Sequence, residues 1–210
     1  MDLDLDLDID DILEDTQPDF FRKGLDLYQQ NKVEESIAAF QQEIQANPEN
    51  ANAYNNLGFI YYQQGQWVDA ITACQKAVGL KPDYAEAYWN LGFSHEQLED
   101  YESAAFALKK GLEIQPGNSA IYTNLGNMYV RLNQYEEATH AFENAVLFNP
   151  EDAVSYNNLG VALYQNGNYG EALSSFQKAV EIAPQYQEAQ NNLDAAKVRV
   201  DPLEGLKIEI

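Results

Sequence analysis

The sequence predicts an all-α solenoid: five stacked pairs of antiparallel helices, closed by one further helix. Three observations predict it. The tripeptide Asn-Leu-Gly stands at Asn56-Leu57-Gly58, Asn90-Leu91-Gly92, Asn124-Leu125-Gly126 and Asn158-Leu159-Gly160, each copy 34 residues after the last. Proline keeps the same period at Pro48, Pro82, Pro116, Pro150 and Pro184. Within each period, apolar residues fall into two runs of helical spacing separated by a turn signal.

The units are 17–50, 51–84, 85–118, 119–152 and 153–186. In the first helix of each, positions four, seven and eleven share one face. Position four is Phe20, Tyr54, Tyr88, Tyr122 or Tyr156. Position eight is always glycine, at Gly24, Gly58, Gly92, Gly126 and Gly160. Position twenty in the second helix is Ser36, Ala70, Ala104, Ala138 or Ala172, so two small residues let the helices approach where they cross. Position fifteen ends the first helix with Asn31, Gly65, Asn133 or Gly167, residues that tolerate a left-handed backbone. Glu99 departs from this and predicts a strained or differently shaped turn. The second helix starts on Val33, Trp67, Tyr101, Tyr135 or Tyr169 and buries position twenty-four: Phe40, Cys74, Leu108, Phe142 or Phe176. Proline then ends it. Unit one is atypical, with Lys23 at position seven and Glu43 at position twenty-seven, as suits the end of a stack. Residues 187–200 restart the pattern, but Asp194 replaces the glycine and no second helix follows. They read as a polar capping helix, stopped before Asp201-Pro202.

The order of aromatic, Leu-Gly, bulky residue, Ala, Phe, Ala and Pro resembles the tetratricopeptide-repeat (TPR) family. The resemblance covers 17–186 and implies a right-handed superhelix whose first helices line a concave groove. In that family, groove positions are two, five, six, nine, twelve and thirteen. Position six here gives Arg22 and then Asn56, Asn90, Asn124, Asn158 and Asn192. This row is similar to the asparagine ladder of the O-linked N-acetylglucosamine transferase TPR domain, whose amides bond to the backbone of an extended peptide. A primary amide both donates and accepts, so it can pair with a peptide unit regardless of side chain. The same asparagines also suit a structural role, capping or bridging neighbouring helices. Position five adds Asn55, Trp89 and Asn157; positions nine and twelve add Phe59, Phe93 and Tyr62. Trp89, Phe59, Phe93 and Tyr62 form an expected aromatic patch, with Trp89 as the expected binding hot spot.

Co-chaperone TPR domains grip the terminal carboxylate of Hsp70 or Hsp90 with Lys, Asn and Arg from successive first helices. The matching positions here are Asn55, Phe59, Asn90, Ala120 and Asn124. They hold no cation, so that clamp is not expected.

Composition bounds the function further. The net charge of −22 disfavours nucleic acid and anionic membranes and favours a basic partner. A solubilising role for this charge is the plainer alternative. One cysteine excludes an internal disulfide and a cysteine-rich metal site. With no secretory signal pattern and no apolar run of spanning length, the chain reads as soluble, cytoplasmic and in a reducing compartment. Residues 1–16 carry an acidic-hydrophobic tail, eight acids between Asp2 and Asp15 without a cation, expected to be disordered. Residues 201–210 form a short apolar-alternating tail. No phosphate loop, paired-histidine helix or nucleophile elbow occurs. The expectation is a non-enzymatic adaptor or assembly factor without metal or cofactor, which holds an extended segment of another protein. The alternative is a scaffold that self-associates.

Overall fold

The computed structural model describes residues 19–200. The acidic N-terminal tail and the 201–210 tail lie outside the described residues. Eleven helices are present among the described residues: α1 Phe20–Gln29, α2 Val33–Ala46, α3 Ala51–Gln63, α4 Trp67–Leu80, α5 Ala85–Gln97, α6 Tyr101–Ile114, α7 Ser119–Arg131, α8 Tyr135–Phe148, α9 Ala153–Gln165, α10 Tyr169–Ile182 and α11 Gln187–Val200. They form five antiparallel pairs and a closing helix, an all-α solenoid. The two helices of each pair pack together, and each second helix packs on the first helix of the following unit. First helices of successive units also touch (α3 with α5, α7 with α9, α9 with α11), so they form the inner wall of the curved stack.

Local chemistry sets the helix ends. Asp19, Asn50, Asn118 and Asp152 cap first helices by accepting hydrogen bonds from backbone N–H groups. All five first helices end in the same turn, with position fifteen left-handed: φ is 60° at Asn31, 73° at Gly65, 59° at Glu99, 58° at Asn133 and 86° at Gly167. Glu99 therefore does not change the turn. It adopts the shared shape and bears the steric cost of a Cβ in that region. Second helices stop at residues whose φ lies between −128° and −136°, the extended conformation that the following proline imposes.

The core runs continuously through the stack. Phe40, Cys74, Leu108, Phe142 and Phe176, all at position twenty-four, are at most 2% exposed. Burying a side chain of this size contributes about 1.5–3 kcal/mol. Each lies over the position-eight glycine of its own unit. A Cβ on Gly24, Gly58, Gly92, Gly126 or Gly160 would fall 2.5 to 2.8 Å from that side chain. Burial pushes the Cys74 thiol up to about 12, so it packs as a small hydrophobe. Unit one meets solvent as its sequence implies: Lys23 is exposed, and Ser36 satisfies its buried hydroxyl on the Gly24 carbonyl at 2.7 Å.

Candidate inner-wall binding site

The position-six asparagines lie on the inner helices, half-buried, and their bonding differs from unit to unit. Asn90 donates its amide to Asn55 Oδ1 at 2.9 Å, and Asn55 donates to the Tyr84 hydroxyl at 3.1 Å. Asn192 donates to Asn157 Oδ1 at 2.9 Å, and Asn157 donates to the Tyr186 hydroxyl at 3.3 Å. These are two copies of one clasp. It joins position five of a unit, the tyrosine that closes that unit, and position six of the following helix. Asn55 is 9% exposed and Asn157 is fully buried, so both amides act inside the stack.

The clasp fails where its residues change. Position five of unit three is Trp89, which offers Asn124 no acceptor. Asn124 makes no hydrogen bond among the described residues. At the following junction Thr123 pairs with Ser155 at 2.7 Å, and Asn158 turns to Asn127 Oδ1 at 3.3 Å. Asn56 bonds within its own helix, to the Asn52 carbonyl at 2.8 Å.

Trp89 is half-buried and packs into the core around Leu108, Leu112, Ile121 and Leu125. Its indole Nε1 is buried without a hydrogen-bond partner among the described residues. The ring lies directly against Gly111, where a Cβ would overlap Nε1 and Cδ1. Trp89 thus commits part of its surface to the unit's interior and leaves the rest exposed. Further along the wall, Tyr28 meets Phe59 edge-on with centroids 5.9 Å apart, and Tyr62 meets Phe93 at 6.4 Å. The structure brings Phe59, Tyr62 and Phe93 into one stripe and leaves Trp89 on its flank.

Four participants were not among the expected site residues. Asn127 interrupts an otherwise mainly apolar position nine, and that polarity was the available signal. Tyr84 and Tyr186 stand where other units carry a helix-capping Asn or Asp. Gly111 replaces the alanine found at Ala77, Ala145 and Ala179, in the one unit that has a tryptophan at position five.

Among the described residues no cluster of three His, Cys, Asp or Glu side chains could hold a metal ion. No helix among them is long and apolar enough to cross a membrane.

A family model for the tetratricopeptide repeat matches residues 21–85 and 123–187, and a second of the same description matches 85–118. No curated protein matches the sequence. Among solved structures, the chain is similar to a MamA protein at 25% identity and TM-score 0.73, over 80% of this chain and 92% of that one. It is similar to MamA from Desulfovibrio magneticus RS-1 at 19% identity and TM-score 0.70, over 80% and 94%. It is also similar to YrrB, a TPR protein with an unusual peptide-binding site, at 20% identity and TM-score 0.77, over 88% and 96%.

Proposed function

The chain belongs to the tetratricopeptide-repeat family of protein-interaction modules, and we propose that it is a non-enzymatic adaptor holding an extended segment of a partner protein along its inner wall. The observation that carries this reading is the unpaired amide of Asn124, at the centre of a row that runs from Asn56 to Asn192. Asn90, Asn158 and Asn192 give a hydrogen to a neighbour yet keep Oδ1 unbonded among the described residues. Each can therefore accept from a peptide N–H, while Asn124 can both donate and accept. Asn55 and Asn157 serve by holding the row in place. Phe59, Tyr62, Phe93 and the channel edge of Trp89 supply apolar contact. YrrB carries a peptide-binding site on the same fold.

The test begins with partners recovered on the immobilised chain and identified by mass spectrometry. The purified partner segment is then titrated against wild type and Asn124→Ala. One hydrogen bond to the segment is worth about 0.5–1.5 kcal/mol, so affinity should fall about two- to tenfold. Undiminished affinity in a folded Asn90→Ala/Asn124→Ala/Asn158→Ala variant would sink the reading. A second reading, self-association, draws on second-helix residues that face solvent: Val68, Phe106 and Leu147 are 65%, 63% and 70% exposed. Light scattering tests it, because a mass constant with concentration argues against it.

A further inference from the structure

The inner-wall stripe pairs position twelve of one unit with position nine of the next. It starts with two aromatic pairs, Tyr28 with Phe59 and Tyr62 with Phe93. At the third step it changes character, to Glu96 and Asn127, and beyond that it is Val130 and Val161. Glu96 is the only charged side chain in positions nine and twelve. It is half-buried, and its carboxylate makes no hydrogen bond and no ion pair among the described residues. Burial holds the Glu96 carboxyl above its ordinary value, and the Arg131 charge lowers it only in part. Arg131 is engaged elsewhere, its guanidinium lying over the Tyr101 ring at 4.3 Å from the centroid. Phe93 lies one helical turn before Glu96 on α5 and meets Tyr62 with centroids 6.4 Å apart, which sets the acid beside the aromatic pair; the Tyr62 hydroxyl is accordingly pushed up by burial and by the charge of Glu96.

We propose that Glu96, with the rings of Tyr62 and Phe93 beside it, is a subsite for one lysine or arginine side chain of the bound segment. The inference rests on the channel reading above and specifies its ligand. A carboxylate that is already partly dehydrated and lacks an internal partner attracts a cation more strongly than an exposed one. The neighbouring ring faces favour the same charge. The opening of the stripe is apolar and its continuation past Asn127 is apolar. The recognised segment is therefore apolar, basic, apolar, in extended form. The net charge of −22 steers such a segment in, but the field alone does not fix where its cation sits.

A displayed library of random dodecapeptides is panned against wild type, Glu96→Gln and Glu136→Gln. Glu136 is an exposed second-helix acid, so its replacement removes the same charge away from the channel. Glu96→Gln preserves shape and breaks no internal bond. Wild type and Glu136→Gln should enrich peptides with Lys or Arg at a fixed spacing from apolar residues, and Glu96→Gln should lose that enrichment. For a selected peptide, exchanging the basic residue for norleucine should weaken wild-type binding about tenfold and leave Glu96→Gln binding unchanged. Equal basic enrichment in Glu96→Gln would overturn the subsite while the channel reading stands. Peptides that bind Asn124→Ala and Phe93→Ala as well as wild type, or no enriched peptide at all, would overturn both.

Discussion

Gly111→Ala should change the sign of its effect on stability when Trp89 is removed. In a helix interior, Gly→Ala normally gains about 0.5–1 kcal/mol, because alanine loses less backbone entropy. Units two, four and five carry alanine at this place, as Ala77, Ala145 and Ala179, each fully buried. The added methyl therefore fits the helix crossing itself, and the 3.1 Å approach to the Ala85 carbonyl belongs to that shared crossing. What differs in unit three is the indole of Trp89, which occupies the space a Cβ would need. Overpacking of this kind costs about 1–3 kcal/mol. The two effects sum to a loss of up to about 2 kcal/mol with Trp89 present. In a Trp89→Asn background the clash is gone, and the same change should stabilise by about 0.5–1 kcal/mol. Urea denaturation followed by far-UV circular dichroism on the four proteins of the cycle measures this, since Trp89 cannot serve as its own probe once replaced. The coupling should be about 1–3 kcal/mol. Equal effects of Gly111→Ala in both backgrounds would refute the claim that glycine is there for the ring.

Three further outcomes follow from the site. Asn157→Ala strips the buried clasp that holds α11 and should cost about 1–3 kcal/mol, whereas Asn124→Ala should stay within about 0.5 kcal/mol, both read by urea melts. Glu99→Gly removes a Cβ from a left-handed position and should stabilise by about 0.5–1 kcal/mol, a gain that a thermal melt would register as a higher midpoint. The raised pKa of Glu96 means that the folded chain holds this proton more tightly than the unfolded chain. Its ionisation therefore costs stability at neutral pH, and the cost vanishes below about pH 4, where both states are protonated. Glu96→Gln should accordingly raise the urea midpoint at neutral pH and leave it unchanged in acid; an equal gain at both would point to a packing effect instead.

The fold was legible because each unit repeats the same steric instructions. Glycine under a bulky position twenty-four, small position twenty, a left-handed position fifteen and a terminal proline recur in phase, and each acts through nearest neighbours. Glu99 shows the strength of that agreement, since four neighbouring turns of one shape impose it on a poorly suited residue. The site was legible only as a face. Sequence period identifies which asparagines share the inner wall, but not where their amides bond. That depends on contacts between units some 31 to 35 residues apart, such as Asn55 with Asn90 and Asn127 with Asn158. The depth to which Trp89 packs escaped the sequence for a related reason. Position five turns into the stack, where the short amides of Asn55 and Asn157 are buried, and the larger ring of Trp89 fits there because its own second helix yields space at Gly111.

The irregular unit is also where the channel becomes chemically distinctive. Trp89 breaks the amide clasp, and that break leaves Asn124 without a partner among the described residues. Position twelve of the same unit is Glu96, the one acid of the stripe, beside the aromatic pair of Tyr62 and Phe93. A repeat kept regular for stability alone would carry an amide at position five, alanine at twenty-seven and an apolar residue at twelve. Unit three departs at all three, and the buried, unpaired Nε1 of Trp89 shows that the departure costs stability locally. Departures of this kind concentrate where function opposes local consistency. The intact clasps belong to units two and five, which flank units three and four. In the proposed reading, units three and four form the centre of recognition, with the Asn124 amide for the backbone of the segment and Glu96 for its charge.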